Sequence, residues 1–134
     1  MKETILVVED GDAVRHLVCQ MLVLNGYSVL EARDGHHALR ICESHPHPIQ
    51  LVLTDLVMPN MKGAILAERL RLWHPDLRVL LMSGYIDEPV VQRLGRDSVA
   101  FLQKPFTSVE LVEKIRQILD VPWKGLPIGR RMDA

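Results

Sequence analysis

Short unbroken runs of aliphatic residues alternate along this chain with longer segments in which apolar residues recur every three or four positions. The first pattern suits strands buried on both faces and the second suits amphipathic helices. Their alternation predicts a parallel sheet with helices on both faces. "TILVV" reads as the first strand. In the following segment Val14, Leu17, Val18, Met21 and Leu22 fall at i, i+3, i+4, i+7 and i+8, which predicts one inward stripe of a helix stopped by Asn25-Gly26. "YSVLEA" predicts a second strand, "DGHHALRICES" a helix begun by Asp34, and "QLVLTD" a third strand. "GAILAERLRLW" predicts a helix closed by His74-Pro75, "RVLLMS" a fourth strand, "EPVVQRL" a short helix ended by Gly95, and "AFLQ" a fifth strand. Thr107 and Glu110 have capping-box spacing ahead of a last apolar stripe of Leu111, Val112, Ile115, Ile118 and Leu119. Beyond Asp120, "VPWKGLPIGRRMDA" has no period, so residues 1–120 read as one domain and 121–134 as a tail or linker remnant.

Parallel strands joined by right-handed crossovers bring their carboxyl ends to one edge of the sheet. Glu9 and Asp10 follow the first strand, Asp55 ends the third, Ser83 the fourth, and Lys104 follows the fifth. Side chains far apart in sequence are thereby expected to converge. Three acids in one cleft repel one another unless a cation intervenes. Oxygen-only ligands that leave room for water and phosphate oxygens suit Mg²⁺ better than Ca²⁺, and zinc would want His or Cys. A carboxylate in such a setting can act as a nucleophile toward phosphorus, with the metal, a lysine and a hydroxyl placed to meet the transferring oxygens.

Composition narrows the setting. At 134 residues, 48% hydrophobic and 25% charged, the chain fits one globular domain. A net charge of -1 disfavours both nucleic acid and an anionic membrane surface as partners through long-range attraction. The opening "MKETILVVED" lacks a cleavable signal and no apolar run has bilayer length, so a cytoplasmic location without membrane insertion is expected. Cys19 and Cys42 read as small core residues, Met58 and Met61 as packing, and Trp73 and Trp123 as core and tail anchors. "HPHP" at 45–48 fits a loop better than a metal site, and His36 and His37 point to different faces of a helix. His16 reads as a solvated neighbour of Cys19.

The segments "ILVVED", "EARDGHHAL", "LVLTDLVMPNMKG", "LLMSGY" and "AFLQKPF", in this order and spacing, are those of a known family. Over residues 4–119 the chain resembles the receiver domain of bacterial two-component response regulators. The resemblance implies a doubly wound, flavodoxin-like (βα)5 fold with strand order 2-1-3-4-5. It implies that Asp55 accepts a phosphoryl group from a phosphohistidine of a histidine kinase or histidine phosphotransfer protein, as a stoichiometric phosphoacceptor. Mg²⁺ would be bound by Asp10, Asp55 and the backbone carbonyl of Val57, with Glu9 assisting through water. Ser83 and Lys104 would contact the phosphoryl group, the Lys104-Pro105 bond would be cis, and Phe101 would be the switch aromatic. The output surface would be the face built from the fourth helix, fifth strand and fifth helix.

Departures from the family pattern are small. Ser83 replaces a common Thr, Phe101 a common Tyr, and Lys62 a common acid. Val57 and Tyr85 stand where the family borders the path of the hydrolytic water, and their bulk is expected to slow loss of the phosphoryl group. "SGY", "KPF" and "ETILVVED" resemble receivers attached to hybrid sensor kinases, so a receiver portion of a phosphorelay stands beside a stand-alone regulator. A haloacid dehalogenase-like phosphatase would need a second Asp where Val57 stands. A flavin module would find "EDGDA" repelling its phosphate.

Overall fold

The computed structural model describes residues 2–84 and 99–120. The elements in chain order are β1 (Thr4–Val8), α1 (Asp12–Leu24), β2 (Ser28–Ala32), α2 (Gly35–Ser44), β3 (Leu51–Asp55), α3 (Gly63–Trp73), β4 (Arg78–Ser83), β5 (Ala100–Gln103) and the helix Ser108–Asp120, here α4. The strands form one parallel sheet in the order β2-β1-β3-β4-β5. Register is even: Val8 pairs with Thr54, Asp55 with Met82, and Ser83 with Gln103. The strands therefore stop together, and the residues that follow them share one edge.

Alternate strand residues feed two layers. Ile5, Val7, Leu51, Leu53, Leu80 and Met82 pack with Val18, Cys19 and Leu22 of α1 and with Leu111 and Ile115 of α4. Leu6, Val8 and Val52 pack on the other face with Ala38 of α2 and Leu66 and Leu70 of α3. Each fully buried aliphatic side chain of this kind contributes about 1.5–3 kcal/mol. Local chemistry sets the ends of the helices. Asp34 accepts from the His37 amide at 2.8 Å to cap α2. Thr107 and Glu110 exchange amide bonds of 3.1 and 2.8 Å to cap α4, the reciprocal arrangement read from the sequence. Gly26, at φ 93°, follows α1 in the left-handed region that favours glycine.

Two expectations need correction. Of the expected α1 stripe, Val18 and Leu22 are buried and Met21 packs partly on the core, but Val14 and Leu17 are 43% and 53% exposed, and Arg15 and Cys19 turn inward beside the buried members. The buried Arg15 finds acceptors at the sheet edge in Glu31, Asp12 and the Glu9 carbonyl. Trp73 is 49% exposed as the last residue of α3, not a core anchor. The predicted "EPVVQRL" helix, Tyr85, and the tail with Trp123 lie outside the described residues.

Candidate functional site

Asp55 is the last residue of β3, the central strand of the sheet, and its side chain is 13% exposed. Two residues beyond β1, Asp10 stands exposed, while Glu9 before it is buried. Carboxylate oxygens of Glu9, Asp10 and Asp55 all lie within 4.8 Å of one another. Lys104, just past β5, places its Nζ 3.3 Å from Asp55 Oδ2 and 3.3 Å from Glu9 Oε1. The Lys104 amide donates to the Ser83 carbonyl at 2.7 Å, which ties the end of β5 to the end of β4. Ser83 is buried there. The even register thus brings Glu9, Asp10, Asp55, Ser83 and Lys104 to one edge.

Electrostatics follow from this crowding. Burial pushes the Glu9 carboxyl above the ordinary carboxylate range, and the neighbouring Asp55 charge adds to that push. The Gly11 amide, donating to Glu9 Oε2 at 3.0 Å, and the Lys104 ammonium work in the opposite direction. Burial works against the Lys104 ammonium, but the Asp55 and Glu9 carboxylates outweigh it and hold its pKa above the usual lysine value. Among the described residues, one cation, Lys104, pairs with this group of three carboxylates, so negative charge is in excess. An all-oxygen donor set with that excess suits a hard divalent cation, and Mg²⁺ fits it.

The remaining sequence candidates are placed less centrally. Val57, in the loop after Asp55, is 70% exposed. Phe101 is half-buried on β5 and packs against the cluster of Leu56, Ala64, Ala67, Val79, Leu81 and Val99, away from the carboxylates. The Lys104-Pro105 peptide bond is cis. The "HPHP" segment is a loop, and with His74 and Arg78 it borders a cleft of about 450 Å³ near the amino ends of β3 and β4. Among the described residues, the acidic trio is the only group of three metal-ligating side chains close enough to share an ion, so these imidazoles do not form one. Cys19 and Cys42 are free thiols, buried and half-buried.

Two contributors escaped the sequence reading. Gly63, the first residue of α3, lies against the end of β3: a Cβ there would overlap the Asp55 carbonyl oxygen, and the Gly63 amide donates to the Leu56 carbonyl at 2.9 Å. In the sequence it closes the segment "LVLTDLVMPNMKG" eight residues past Asp55, which does not reveal its contact with the Asp55 carbonyl. Arg15 is buried in α1 and hydrogen-bonds the Glu9 carbonyl oxygen at 2.9 Å. An arginine three residues after Asp12 gives away one ion pair but not the contact with Glu9.

Comparison with known proteins places this geometry. The family described as the response regulator receiver domain matches residues 5–116. Among curated proteins, the sensor kinase CckA of Brucella abortus is 38% identical over 118 residues, which is 87% of this chain and 12% of that protein. The chain spans about a third to a half of other curated relatives that it matches. Among solved structures, the receiver domain of the hybrid histidine kinase CckA is 37% identical, with a TM-score of 0.73 over 87% of this chain and 98% of that one. The response regulator TrrA of Thermotoga maritima, in complex with Mg²⁺-BeF, is 28% identical, with a TM-score of 0.76 over 87% and 99% of the two chains.

Proposed function

This chain belongs to the response regulator receiver domain family, and from that premise we propose that Asp55 is its phosphoacceptor. Receiver domains bind Mg²⁺ at an acidic pocket and work with histidine kinases or phosphotransfer proteins; the finer assignments are ours. The observation that carries them is the shared lysine: Lys104 sits 3.3 Å from both Asp55 and Glu9 at the one edge where three carboxylates meet. No such cation would be needed by a solvated loop acid.

An Asp55 carboxylate oxygen attacks the phosphorus of the donor's phosphohistidine. The P–N bond breaks, its electron pair returns to the imidazole, and a proton on the ring leaves that side chain neutral. Asp10, Asp55 and the Val57 carbonyl would hold Mg²⁺, with Glu9 assisting through water, and the ion would supply positive charge toward the phosphoryl oxygens. Lys104 supplies a second positive charge to those oxygens by leaving its present pair with Asp55. The Ser83 hydroxyl, at the end of the neighbouring strand, donates to a phosphoryl oxygen. Phe101 sits on the strand that joins Lys104 to the apolar cluster around Val79 and Leu81, so movement of Ser83 and Lys104 toward the phosphoryl group reaches its packing directly. Phosphorylation shifts a population between two arrangements of the surface that carries Phe101.

The chain is a stoichiometric acceptor in this scheme, since Asp55 ends each cycle as an acyl phosphate that must be lost or passed on. A phosphorelay setting, with the domain as part of a hybrid sensor kinase, is supported by the likeness to the CckA receiver. The test is to incubate wild type and Asp55→Asn with acetyl phosphate and Mg²⁺ and weigh both. Wild type gains one phosphoryl group that hydroxylamine removes, and the variant gains none. Equal labelling of the two would refute Asp55 as the acceptor.

A further inference from the structure

A guanidinium is an unusual group to bury beside a metal-binding edge, yet the Arg15 side chain is 8% exposed. It reaches back from the first turn of α1 over the loop that carries Glu9 and Asp10. Its Nη1 donates to the Glu9 carbonyl oxygen at 2.9 Å, its Nη2 to Asp12 Oδ1 at 2.7 Å, and its Nε to Glu31 Oε1 at 3.0 Å. Glu31 belongs to β2 and pairs with Val7 of β1. The planar fork therefore joins three pieces of chain: the neighbouring strand, the loop after β1, and the start of the helix.

The contact with Glu9 has a particular consequence. The Glu9 carbonyl is part of the rigid peptide plane that joins Glu9 to Asp10, so whatever holds that oxygen sets the direction in which Asp10 leaves. The plane on the other side of Glu9 is fixed as well, because the Glu9 amide donates to the Ala32 carbonyl at 3.1 Å. Gly11 at the N-cap has no side chain, and its amide, donating to Glu9 Oε2 at 3.0 Å, holds the Glu9 carboxylate rather than the Glu9-Asp10 peptide. Charge relief is a poor account of Arg15: the carboxylates of Asp12 and Glu31 already bind two arms of the fork. What reaches the loop is a directed hydrogen bond.

We infer that Arg15 is a positioning residue for the divalent-ion site: by holding the Glu9-Asp10 peptide from the side of α1, it aims the two acids at Asp55 before an ion arrives. This rests on the reading of that edge as a Mg²⁺ site. Losing such a supporting hydrogen bond typically weakens a metal site about 10- to 100-fold. A lysine could keep the charge but has no planar fork, so it does not restore the geometry.

The experiment titrates the whole chain with Mn²⁺, followed by electron paramagnetic resonance of the free ion, for wild type, Arg15→Met, Arg15→Lys and Glu31→Gln. Circular dichroism melts report folding in parallel. Arg15→Met is expected to lose Mn²⁺ affinity about 10- to 100-fold, Arg15→Lys to lose nearly as much, and Glu31→Gln to lose less in the same direction. The Mg²⁺ concentration for half-maximal phosphoryl uptake from acetyl phosphate rises by the same factor. A folded Arg15→Met whose affinity stays within about twofold of wild type overturns the inference, as does full recovery in Arg15→Lys. Should Arg15→Met not fold, unchanged affinity in both Arg15→Lys and Glu31→Gln overturns it. A wild type that binds no Mn²⁺ removes the site itself, an outcome distinct from equal binding by wild type and variant.

Discussion

Adding one methyl group at Gly63 is the sharpest test of how the acceptor strand is held. A Cβ at that position overlaps the Asp55 carbonyl oxygen and comes within 3.0 Å of Leu56 Cα and 3.1 Å of the Asp55 carbonyl carbon. Carbon atoms prefer separations of about 3.5–4.0 Å, so even the carbon contacts fall short by roughly half an ångström or more. All three neighbours are backbone, and none can rotate away. Either the start of α3 or the end of β3 must move, by about 1 Å once the oxygen is included. Overpacking of this kind costs roughly 1–3 kcal/mol. A displacement of that size at a reacting carboxylate costs on the order of 100-fold in rate. Gly26→Ala is the matched control: a Cβ there meets nothing within 4 Å, but φ is 93°. It should cost about 1–2 kcal/mol through its backbone conformation alone. Urea unfolding and single-turnover phosphoryl uptake from acetyl phosphate, run on both variants, separate the effects. Gly26→Ala loses stability and keeps its rate, whereas Gly63→Ala loses both. A Gly63→Ala protein with a rate within about threefold of wild type would refute the claim that this contact sets the position of Asp55.

Lys104→Met removes the cation shared by Glu9 and Asp55 and should slow phosphoryl uptake at saturating Mg²⁺ by about 100- to 1,000-fold, read by mass against time. The folded-state pKa of Lys104 is raised, so its stabilisation is fully present below the ordinary lysine value of 10.5 and fades as pH climbs through the raised value. Urea midpoints taken at neutral and at strongly alkaline pH should therefore converge between wild type and Lys104→Met at the alkaline end, and a constant gap would contradict the pairing. Val57→Asn combined with Tyr85→Ala should shorten the life of the aspartyl phosphate, measured as loss of the phosphoryl mass after the donor is removed; an unchanged lifetime would dismiss steric shielding by these side chains. Burial pushes both thiols up to about 11 from an ordinary 9.0. At about pH 8, iodoacetamide should then alkylate the native protein at least about a hundredfold more slowly than the urea-unfolded chain, with the native rate climbing toward pH 11. Fast labelling of Cys19 at neutral pH would count against its place in the core.

How much of this the sequence reveals depends on how far apart the interacting groups lie along the chain. The segments "RVLLMS" and "GAILAERLRLW" match β4 and α3 end for end, and Asp34 and the Thr107–Glu110 box cap the helices expected of them. In each of these the signal that starts or stops the element lies within a few residues of it. The convergence of Glu9, Asp10, Asp55, Ser83 and Lys104 was equally legible, because parallel topology alone carries strand ends to a common edge. The face of α1 was legible only in part. Val18, Leu22 and Met21 of the expected stripe face the core, but Val14 and Leu17 are exposed, and periodicity does not announce the buried Arg15. Glu31, sixteen residues from Arg15, accepts from the buried guanidinium, a partner that no local pattern reveals. Gly63 was missed for the same reason: its importance lies in the carbonyl it leaves room for.

These two omissions bear on how the site can work. The acceptor edge holds three carboxylates and one lysine, an arrangement whose own electrostatics would drive the acids apart. Burial of Glu9 makes this worse by raising the cost of its charge. What resists the drift is backbone: the Glu9 amide held by Ala32, the Glu9 carbonyl held by Arg15, the Gly11 amide on the Glu9 carboxylate, and the Leu56 carbonyl held by Gly63. These contacts hold the acids near one another, and positive charge at the edge offsets their repulsion. Lys104, equidistant from Glu9 and Asp55, is committed to neither and can follow the charge as it moves onto phosphorus. In the proposed scheme this frame would preset the acids for a divalent ion, and the lysine divided between two of them would carry the response to phosphorylation.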